Sequence, residues 1–239
     1  MYRYDKAGQT SFALGTQATF YLLESAPKRA KRVYISPKQN RDETYARLRA
    51  LCSETNVPVI ENNERIFRDL SGKDNVMVIG EFEKNEKTLD PKSNHVLLVQ
   101  PSNAGNLGTI LRSLVGFGLA DIALITPCVD PFDPKVIRAS MGAIFHLRLK
   151  RFSSFEDYAA SAGSRSFYPF MLQATKFLPE TKASSPYTLI FGNEATGLPS
   201  SFLSIGEPLK IPQTPFIDSL NLDNAVAIAL YEFQKEAIH

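Results

Sequence analysis

A polar loop that follows an apolar, strand-sized segment holds residue types that could bind a ligand. It spans residues 101–112 and contains Asn106, two glycines and Arg112. Glycines permit close approach of the backbone to a ligand, and asparagine amides both donate and accept hydrogen bonds. The glycine spacing does not match the G-x-G-x-x-G pattern, which argues against a nicotinamide or flavin site. The alternative is an ordinary strand-to-helix turn in which Arg112 extends toward solvent.

A second loop holds a carboxylate between two glycines. Residues 191–199 begin at the end of an apolar segment and place Glu194 between Gly192 and Gly197. A charge in such a tight turn serves no evident packing need, so the pattern favours a functional site. The alternative is that Glu194 is the N-cap partner or a first-turn residue of the next helix, where the helix dipole stabilises a carboxylate.

A third loop, residues 211–222, carries two polar residues just before an apolar helical pattern. Two prolines stiffen the loop, and Ser219 and Asn221 follow them. Both side chains could line a ligand site, or either could simply cap the final helix.

Alternating strands and helices must position these loops. The pattern predicts a buried strand at 95–100, a helix at 108–117 and a strand at 121–125, which form a βαβ unit with parallel strands. Ligands of open parallel sheets bind beyond the carboxyl ends of the strands, so we expect the three loops to meet there. Further strands are predicted at 167–172, 187–191 and 208–211, and a closing helix at 222–236.

The composition changes around residues 81–94, which are polar and charged. Such a segment is typical of a linker or a surface hairpin. We therefore predict two domains. Residues 1–90 form a small α/β domain that includes the linker from about residue 81, and residues 91–239 form the second domain.

The composition excludes several classes of protein. With 239 residues, 44% of them hydrophobic and 22% charged, the chain can bury a sizeable core and is not a disordered protein. No apolar run approaches the roughly 20 residues that a membrane-spanning helix needs. The two cysteines are far apart and have no CxxC neighbour, so neither a disulfide framework nor a metal site is expected. The N-terminus lacks the apolar core of a signal peptide, which predicts a cytoplasmic protein.

A cluster of basic residues in the first domain is a candidate for RNA contact. The net charge of +2 is too small for a global attraction to nucleic acid, so any contact must come from local patches. The clustered charges repel one another without an anionic partner, which favours RNA as that partner. The alternative is a solvated turn. The four residues are Lys28, Arg29, Lys31 and Arg32.

Taken in this order and at this spacing, the three loops resemble the signature motifs of the SpoU/TrmH branch of the SPOUT RNA methyltransferases. The match consists of Asn-Leu-Gly-Thr-Ile-Leu-Arg at 106–112, Phe-Gly-Asn-Glu-Ala-Thr-Gly-Leu at 191–198, and Ile-Pro followed by Ser-Leu-Asn within 211–221. The resemblance covers residues 94–236. The preceding segment is similar to the small N-terminal RNA-binding domain that is common in this family.

The resemblance implies an α/β fold: a C-terminal SPOUT domain with a parallel sheet and a deep trefoil knot, preceded by a small α/β RNA-binding domain. Family members are homodimers that bind S-adenosylmethionine and transfer its methyl group to a ribose 2'-hydroxyl of RNA. The implied partners are RNA and a second copy of the chain, with no membrane and no metal. Ribosomal RNA is preferred because such an N-terminal domain often accompanies ribosomal targets in the family, and transfer RNA is the alternative.

Carried over position by position, the resemblance implies that Arg112 is the catalytic arginine. It implies backbone contacts to the cofactor from Gly192, Ile211 and Leu220. Arginine is a poor base because its intrinsic pKa lies far above neutral pH. We therefore hypothesise that Arg112 orients the adjacent RNA phosphate, so that a phosphate oxygen or a transiently neutral guanidine takes the hydroxyl proton. The other implied catalytic positions are Asn106, Glu194, Ser219 and Asn221.

Two competing functions stay open. The first is an RNA-binding or assembly protein that keeps the fold without turnover, although the presence of every polar signature residue favours catalysis. The second is a nicotinamide-dependent oxidoreductase, which is disfavoured because no acidic residue follows a proper glycine fingerprint.

Overall fold

A computed structural model describes residues 2–71 and 75–237 of the chain. The chain divides into two compact units. Unit 1 consists of the chain up to Asn85 together with Asp130–His146, and unit 2 consists of Glu86–Val129 and the chain from Leu147 onward.

Unit 1 is a four-stranded mixed sheet with helices packed against it. Its main elements are β1 (Thr10–Leu14), α1 (Thr16–Ser25), β2 (Ala30–Ile35), α2 (Glu43–Glu54), β3 (Val59–Glu61), α3 (Glu64–Ser71) and β4 (Val78–Glu83). The strand order is β1-β4-β2-β3, in which only β2 and β3 are parallel. Val33 and Ile35 pack in one apolar cluster and Tyr34 packs in another. Alternate side chains of β2 therefore fill the two faces of the sheet.

Residues 130–146 belong to unit 1 although they follow two strands of unit 2 in the chain. The buried Asp130 carboxylate lies 3.9 Å from the Lys84 ammonium group and accepts a hydrogen bond from the Tyr4 hydroxyl. The buried Ser11 hydroxyl donates to the carbonyl of Phe132. The predicted second domain, residues 91–239, includes this segment. The hydrogen-bond and ion-pair partners named above for residues 130–146 all lie in the first 85 residues. The structure therefore places this segment in unit 1 and not in the second domain.

Unit 2 is built on a five-stranded, fully parallel sheet. In chain order across both units, the remaining elements are β5 (His95–Val99), α4 (Ala104–Gly116), β6 (Asp121–Ile125), α5 (Pro134–Ala139, in unit 1), β7 (Arg148–Phe152), α6 (Phe155–Ala162), β8 (Ser166–Pro169), β9 (Lys176–Phe177), β10 (Tyr187–Phe191), β11 (Leu209–Lys210) and α7 (Leu222–Gln234). The strand order is β7-β6-β5-β10-β8, and β9 and β11 form a separate parallel pair. All residues of β5, β6 and β10 are buried, as expected for central parallel strands that are covered on both faces.

The structure confirms the predicted α/β class and the predicted βαβ unit. The helix of that unit begins earlier than predicted, at Ala104, because Asn103 caps it. The strand predicted at 167–172 ends at Pro169, and the strand predicted at 208–211 shortens to β11. In the part of the chain that the structure describes, no helix combines the length and the apolar character needed to cross a membrane.

Candidate functional site

The first loop joins β5 to α4 and is shaped by two of its own residues. The side-chain oxygen of Asn103 accepts hydrogen bonds from the backbone N–H groups of Gly105 (2.8 Å) and Asn106 (3.1 Å), which caps α4. Gln100 directly follows β5 with φ +53°, a left-handed conformation that costs a non-glycine residue about 1 kcal/mol. The loop therefore combines a capped helix start with local backbone strain.

The Glu194 carboxylate extends from the second loop to the first. Its Oε2 accepts hydrogen bonds from the backbone N–H (3.0 Å) and the hydroxyl (2.9 Å) of Ser102. Its Oε1 accepts from the backbone N–H of Asn103 (3.1 Å) and from the side-chain amide of Asn106 (3.3 Å). Glu194 lies in a turn, so its alternative placement in the first turn of a helix is wrong. The first two motif loops are joined through this one side chain.

The same contacts control the charge of Glu194. Burial alone would raise the pKa of this carboxyl group. The hydrogen bonds that it accepts from its own backbone, from Ser102 and from Asn103 outweigh burial and hold the pKa below its usual value. Glu194 is therefore ionised at neutral pH.

Asn193 makes a second link between the two loops. Its side-chain amide donates to the carbonyl oxygen of Gln100 (2.8 Å). Its side-chain oxygen accepts from the backbone N–H groups of Ala195 (2.9 Å) and Thr196 (3.3 Å), which closes the turn of the second loop. The strained Gln100 backbone is thus held by a residue 93 positions away in the chain.

A cavity of about 350 Å³ opens between the second and third loops. Its walls include Gly192, Ile211 and Leu220, the three positions predicted to contact a cofactor, together with Glu194 and Ser219. The structure brings these five residues to one site. The remaining wall residues come from the second and third loops, from residues 170–173 and from the ends of β10, β11 and α7.

Gly192 is required by the close approach of two backbone segments. A Cβ atom at this position would lie 2.1 Å from the carbonyl carbon of Gly197 and 2.3 Å from the amide nitrogen of Leu198. No side chain fits in that space, so only glycine allows the second loop to fold back on itself beside the cavity.

The other predicted catalytic residues occupy different parts of the same unit. Arg112 lies in α4 with its side chain exposed, and it forms no ion pair or hydrogen bond with the residues that the structure describes. Asn221 is at the N-cap position of α7, yet its side chain makes no capping hydrogen bond. The alternative that the Asn221 side chain caps α7 is therefore wrong, and this amide has no hydrogen-bond partner among the described residues. Among the described residues that line the cavity, Asn106, Arg112 and Asn221 are absent.

The structure changes the interpretation of the basic cluster in unit 1. Lys31 pairs with Glu83 (3.1 Å) and Arg32 pairs with Glu81 (3.2 Å), so β4 supplies the anions that the repulsion argument assigned to RNA. The guanidinium of Arg29 lies over three aromatic rings and donates to the carbonyl of Glu83 (3.0 Å). Burial lowers its pKa to about 10. Arg29 is thus held within unit 1 and is not free to contact RNA.

Sequence reasoning missed three residues of the site: Ser102, Asn103 and Asn193. The preference of asparagine for N-cap positions could have identified Asn103. No local pattern reveals the contact between Ser102 and Glu194, because 92 residues separate them. Over residues 2–71 and 75–237, no cluster of three or more His, Cys, Asp or Glu side chains could hold a metal ion.

Comparisons with known proteins agree with this geometry. The model of the SpoU rRNA Methylase family matches residues 93–231. An uncharacterised tRNA/rRNA methyltransferase of Synechocystis is 34% identical over 144 residues, which are 59% of this chain and 53% of that protein, about half of its length. A candidate tRNA (cytidine(34)-2'-O)-methyltransferase of Listeria innocua is 32% identical over 145 residues, which are 58% of this chain and 85% of that protein.

A solved structure matches almost the whole chain. The crystal structure of an AdoMet-bound rRNA methyltransferase from Sinorhizobium meliloti superposes with a TM-score of 0.81 and 27% identity, covering 95% of this chain and 88% of that chain. The family model covers the three motif loops, the parallel sheet and the cavity, which is more than half of the chain. The chain therefore belongs to the SpoU rRNA Methylase family.

Proposed function

We propose that this chain is an S-adenosylmethionine-dependent RNA 2'-O-methyltransferase with ribosomal RNA as its preferred substrate. The convergence of the three motif loops carries the proposal. Glu194 of the second loop binds the first loop through Ser102, and the second and third loops line one cavity. Three segments that are far apart in sequence thus meet at the carboxyl edge of a parallel sheet, where such folds bind ligands.

S-adenosylmethionine fits the cavity in size and chemistry. The volume of about 350 Å³ lies within the range typical of small-molecule sites. Phe170, Leu209 and Leu220 provide apolar walls for a ring system, and the backbones of the two loops provide polar groups. We assign the backbone contacts to Gly192 and Ile211 together with Leu220. When bound, the cofactor supplies a methyl group that is already activated for transfer.

Arg112 is the proposed catalytic residue. Its exposed guanidinium presents a fork of donors that matches a phosphate group. Binding the phosphate beside the target ribose would orient the 2'-hydroxyl, and a phosphate oxygen or a transiently neutral guanidine would take its proton. Asn106 is the proposed neighbour of Arg112, and Ser219 and Asn221 are the proposed polar pair of the third loop.

The preference for ribosomal RNA is supported by the extent of the matches. The Sinorhizobium meliloti rRNA methyltransferase aligns with 95% of this chain, which includes unit 1. The Listeria innocua relative, whose name refers to transfer RNA, aligns with 58% of this chain. Transfer RNA remains the alternative substrate. We propose that Lys28, Lys31 and Arg32 contribute RNA contacts, with Lys31 and Arg32 exchanging their glutamate partners for phosphate.

We further propose that unit 2 contains a deep trefoil knot and that the protein is a cytoplasmic homodimer. The position of β10 between β5 and β8, both of which precede it in the chain, supports a threaded topology. On α7, Ile228 and Tyr231 are 40% and 58% exposed, which supports an apolar interface with a second copy. Sedimentation equilibrium of the purified protein tests the dimer, because a monomer at micromolar concentration contradicts it.

Methyl transfer tests the proposed function directly. Purified protein is incubated with methyl-labelled S-adenosylmethionine and unmodified ribosomal or transfer RNA, and each RNA is digested to nucleosides. We expect label in a 2'-O-methyl nucleoside of ribosomal RNA. The Arg112→Ala variant should lose about 10²- to 10⁴-fold in rate if proton removal is limiting.

A matched control is Arg68→Ala, which removes an exposed arginine from α3 of unit 1. It should retain the wild-type rate. Near-normal turnover of Arg112→Ala contradicts the catalytic role of Arg112. Cofactor binding without label in any RNA favours the second candidate, a catalytically silent RNA-binding or assembly protein.

A further inference from the structure

We propose that Ser102, Asn193 and Glu194 form a clamp that positions α4, and with it Arg112, and that Glu194 is a positioning residue and not the proton acceptor. The loop clamp is defined as the hydrogen bonds that Asn193 and Glu194 make to residues 100–106. This inference rests on the proposed function, because it assigns a role within the same methyl transfer site.

The hydrogen-bonding capacity of Glu194 is already used. A carboxylate offers about four acceptor positions. Glu194 accepts four hydrogen bonds from the first loop, two from Ser102, one from Asn103 and one from Asn106. No acceptor position is left for a substrate hydroxyl. Since these bonds stabilise the ionised form, the carboxylate is also a weak base.

The clamp acts at the start of the helix that carries Arg112. Asn103 is both the N-cap of α4 and a donor to Glu194. Arg112 lies nine residues further on, about 13 Å along the helix axis at 1.5 Å per residue. A tilt of about 5° at the capped end would displace Arg112 by about 1 Å, and a misplacement of this size can cost about 10²-fold in rate.

Apolar packing alone does not fix this end of α4. The buried residues of the helix begin at Leu107 and continue through Ile110, Leu111 and Leu114. Residues 102 and 103 are exposed and contribute nothing to that packing. Asn193 adds a hydrogen bond to the carbonyl oxygen of the strained Gln100, whose N–H donates to Ile125. The clamp therefore fixes residues 102–106 at the start of α4, whereas backbone hydrogen bonds from Val129 to Pro101 and from Gln100 to Ile125 hold the residues before them.

Ser102 provides the cleanest test, because its hydroxyl is exposed and its removal leaves the buried core intact. Ser102→Ala deletes one hydrogen bond to a charged acceptor, and Glu194→Ala deletes all four. We expect kcat to fall about 10-fold for Ser102→Ala and about 10²-fold for Glu194→Ala. The Kd for S-adenosylmethionine and the KM for RNA should stay within about 2-fold of wild type.

The pH profile separates positioning from proton removal. Glu194→Gln should retain the acidic limb of the kcat profile with a reduced plateau, because the group that takes the proton is unchanged. Loss of that limb overturns the proposal, as does a kcat of Glu194→Ala within 3-fold of wild type. A cofactor affinity of Glu194→Ala that falls as much as its kcat also overturns it, since the carboxylate would then act on the cofactor.

Two further measurements keep the test independent of the proposed function. Ser200→Ala removes an exposed serine of the same unit that forms no side-chain hydrogen bond with the described residues, and it should match wild type in every assay. Amide hydrogen exchange at Ser102 and Asn103 should accelerate at least 10-fold in Glu194→Ala and not in Ser200→Ala. Unchanged exchange overturns the clamp. If the wild-type protein methylates no RNA while Glu194→Ala shows this acceleration, the proposed function alone is refuted.

Discussion

The two ends of the parallel sheet in unit 2 carry polar networks that differ in exposure to solvent. At the amino end, His95, Tyr158 and Thr188 form a hydrogen-bonded chain that is completely buried. At the carboxyl end, Glu194 and Ser102 form a network that stays partly open to solvent. The polar groups of both networks have hydrogen-bond partners. Complete hydrogen bonding alone therefore does not distinguish a structural network from a functional one.

In the buried network, the donor and the acceptor of each hydrogen bond can be assigned. The carbonyl oxygen of Asp90 can only accept, so Nε2 of His95 donates to it and Nδ1 accepts from the Tyr158 hydroxyl. The oxygen of Tyr158 then accepts from Thr188, and the Thr188 oxygen accepts from Arg165. Each hydrogen bond in this chain has a defined donor and acceptor. This end of the sheet is built for stability.

The open network differs because the helix that starts at this network carries a charged residue with no ion-pair partner among the described residues. Arg112 forms no ion pair with the described residues, whereas Arg148 at the amino end pairs with the buried Asp121. An exposed arginine without an ion-pair partner can bind an anion such as a phosphate group. We therefore propose that the unpaired Arg112, and not the hydrogen-bonded network, identifies the substrate site.

The largest difference in stability between the two ends of the sheet is expected from Asp121→Ala. The substitution removes the carboxylate that accepts hydrogen bonds from Arg148 and from the backbone N–H of Asp90, and it leaves the guanidinium with the more distant Asp90 carboxylate at 4.0 Å as a charge partner. The free energy of unfolding should fall by about 3 kcal/mol in urea denaturation. Glu194→Ala should change it by less than about 1 kcal/mol while lowering kcat. Equal losses of stability in the two variants would contradict the assignment of a structural role to the amino end alone.

The second largest effect on stability is expected from acidification, which acts on His95 at the amino end of the sheet. Burial lowers the pKa of His95 to about 4. The folded state therefore favours the neutral His95 ring. The stabilisation that results is complete above the unfolded pKa of about 6.5 and is lost as the pH falls toward 4. Stability should drop by up to about 3 kcal/mol across that window. Denaturation at several pH values measures the drop, which should flatten in His95→Gln.

The smallest effect comes from a pair of matched threonines. Thr188→Val removes a buried hydroxyl that donates to Tyr158 and accepts from Arg165, and it should cost about 1 to 2 kcal/mol. Thr196→Val alters the exposed second loop and should stay within about 0.5 kcal/mol of wild type. Thermal denaturation of both variants compares the stability of the two ends directly. A larger loss of stability for Thr196→Val would contradict the structural role assigned to the amino end.

Local patterns in the sequence predicted the parallel unit well. The apolar run of β10 and the spacing of apolar residues in α7 are both visible without the structure. The motif loops were predicted to meet, and the contact of Glu194 with Ser102 and the shared cavity confirm it. The partners within the site were not predictable, because they depend on which backbone N–H groups the fold brings to Glu194.

Charge patterning was a poorer guide in unit 1. The repulsion among clustered basic residues was assigned to an RNA partner, whereas Glu81 and Glu83 on the neighbouring strand neutralise Arg32 and Lys31. Pairing across a sheet depends on strand register, which the basic segment alone does not encode. Accessible charge therefore has to be read from the folded sheet.

The placement of residues 130–146 in unit 1 has a consequence for synthesis on the ribosome. The first 85 residues leave the ribosome early, yet the segment that carries Asp130 and α5 is made only after β5, α4 and β6. Folding of the N-terminal unit cannot finish until that segment has emerged. A nascent chain halted before residue 130 should therefore expose the apolar face of β1 to chaperones, and a chain halted well beyond residue 146 should not.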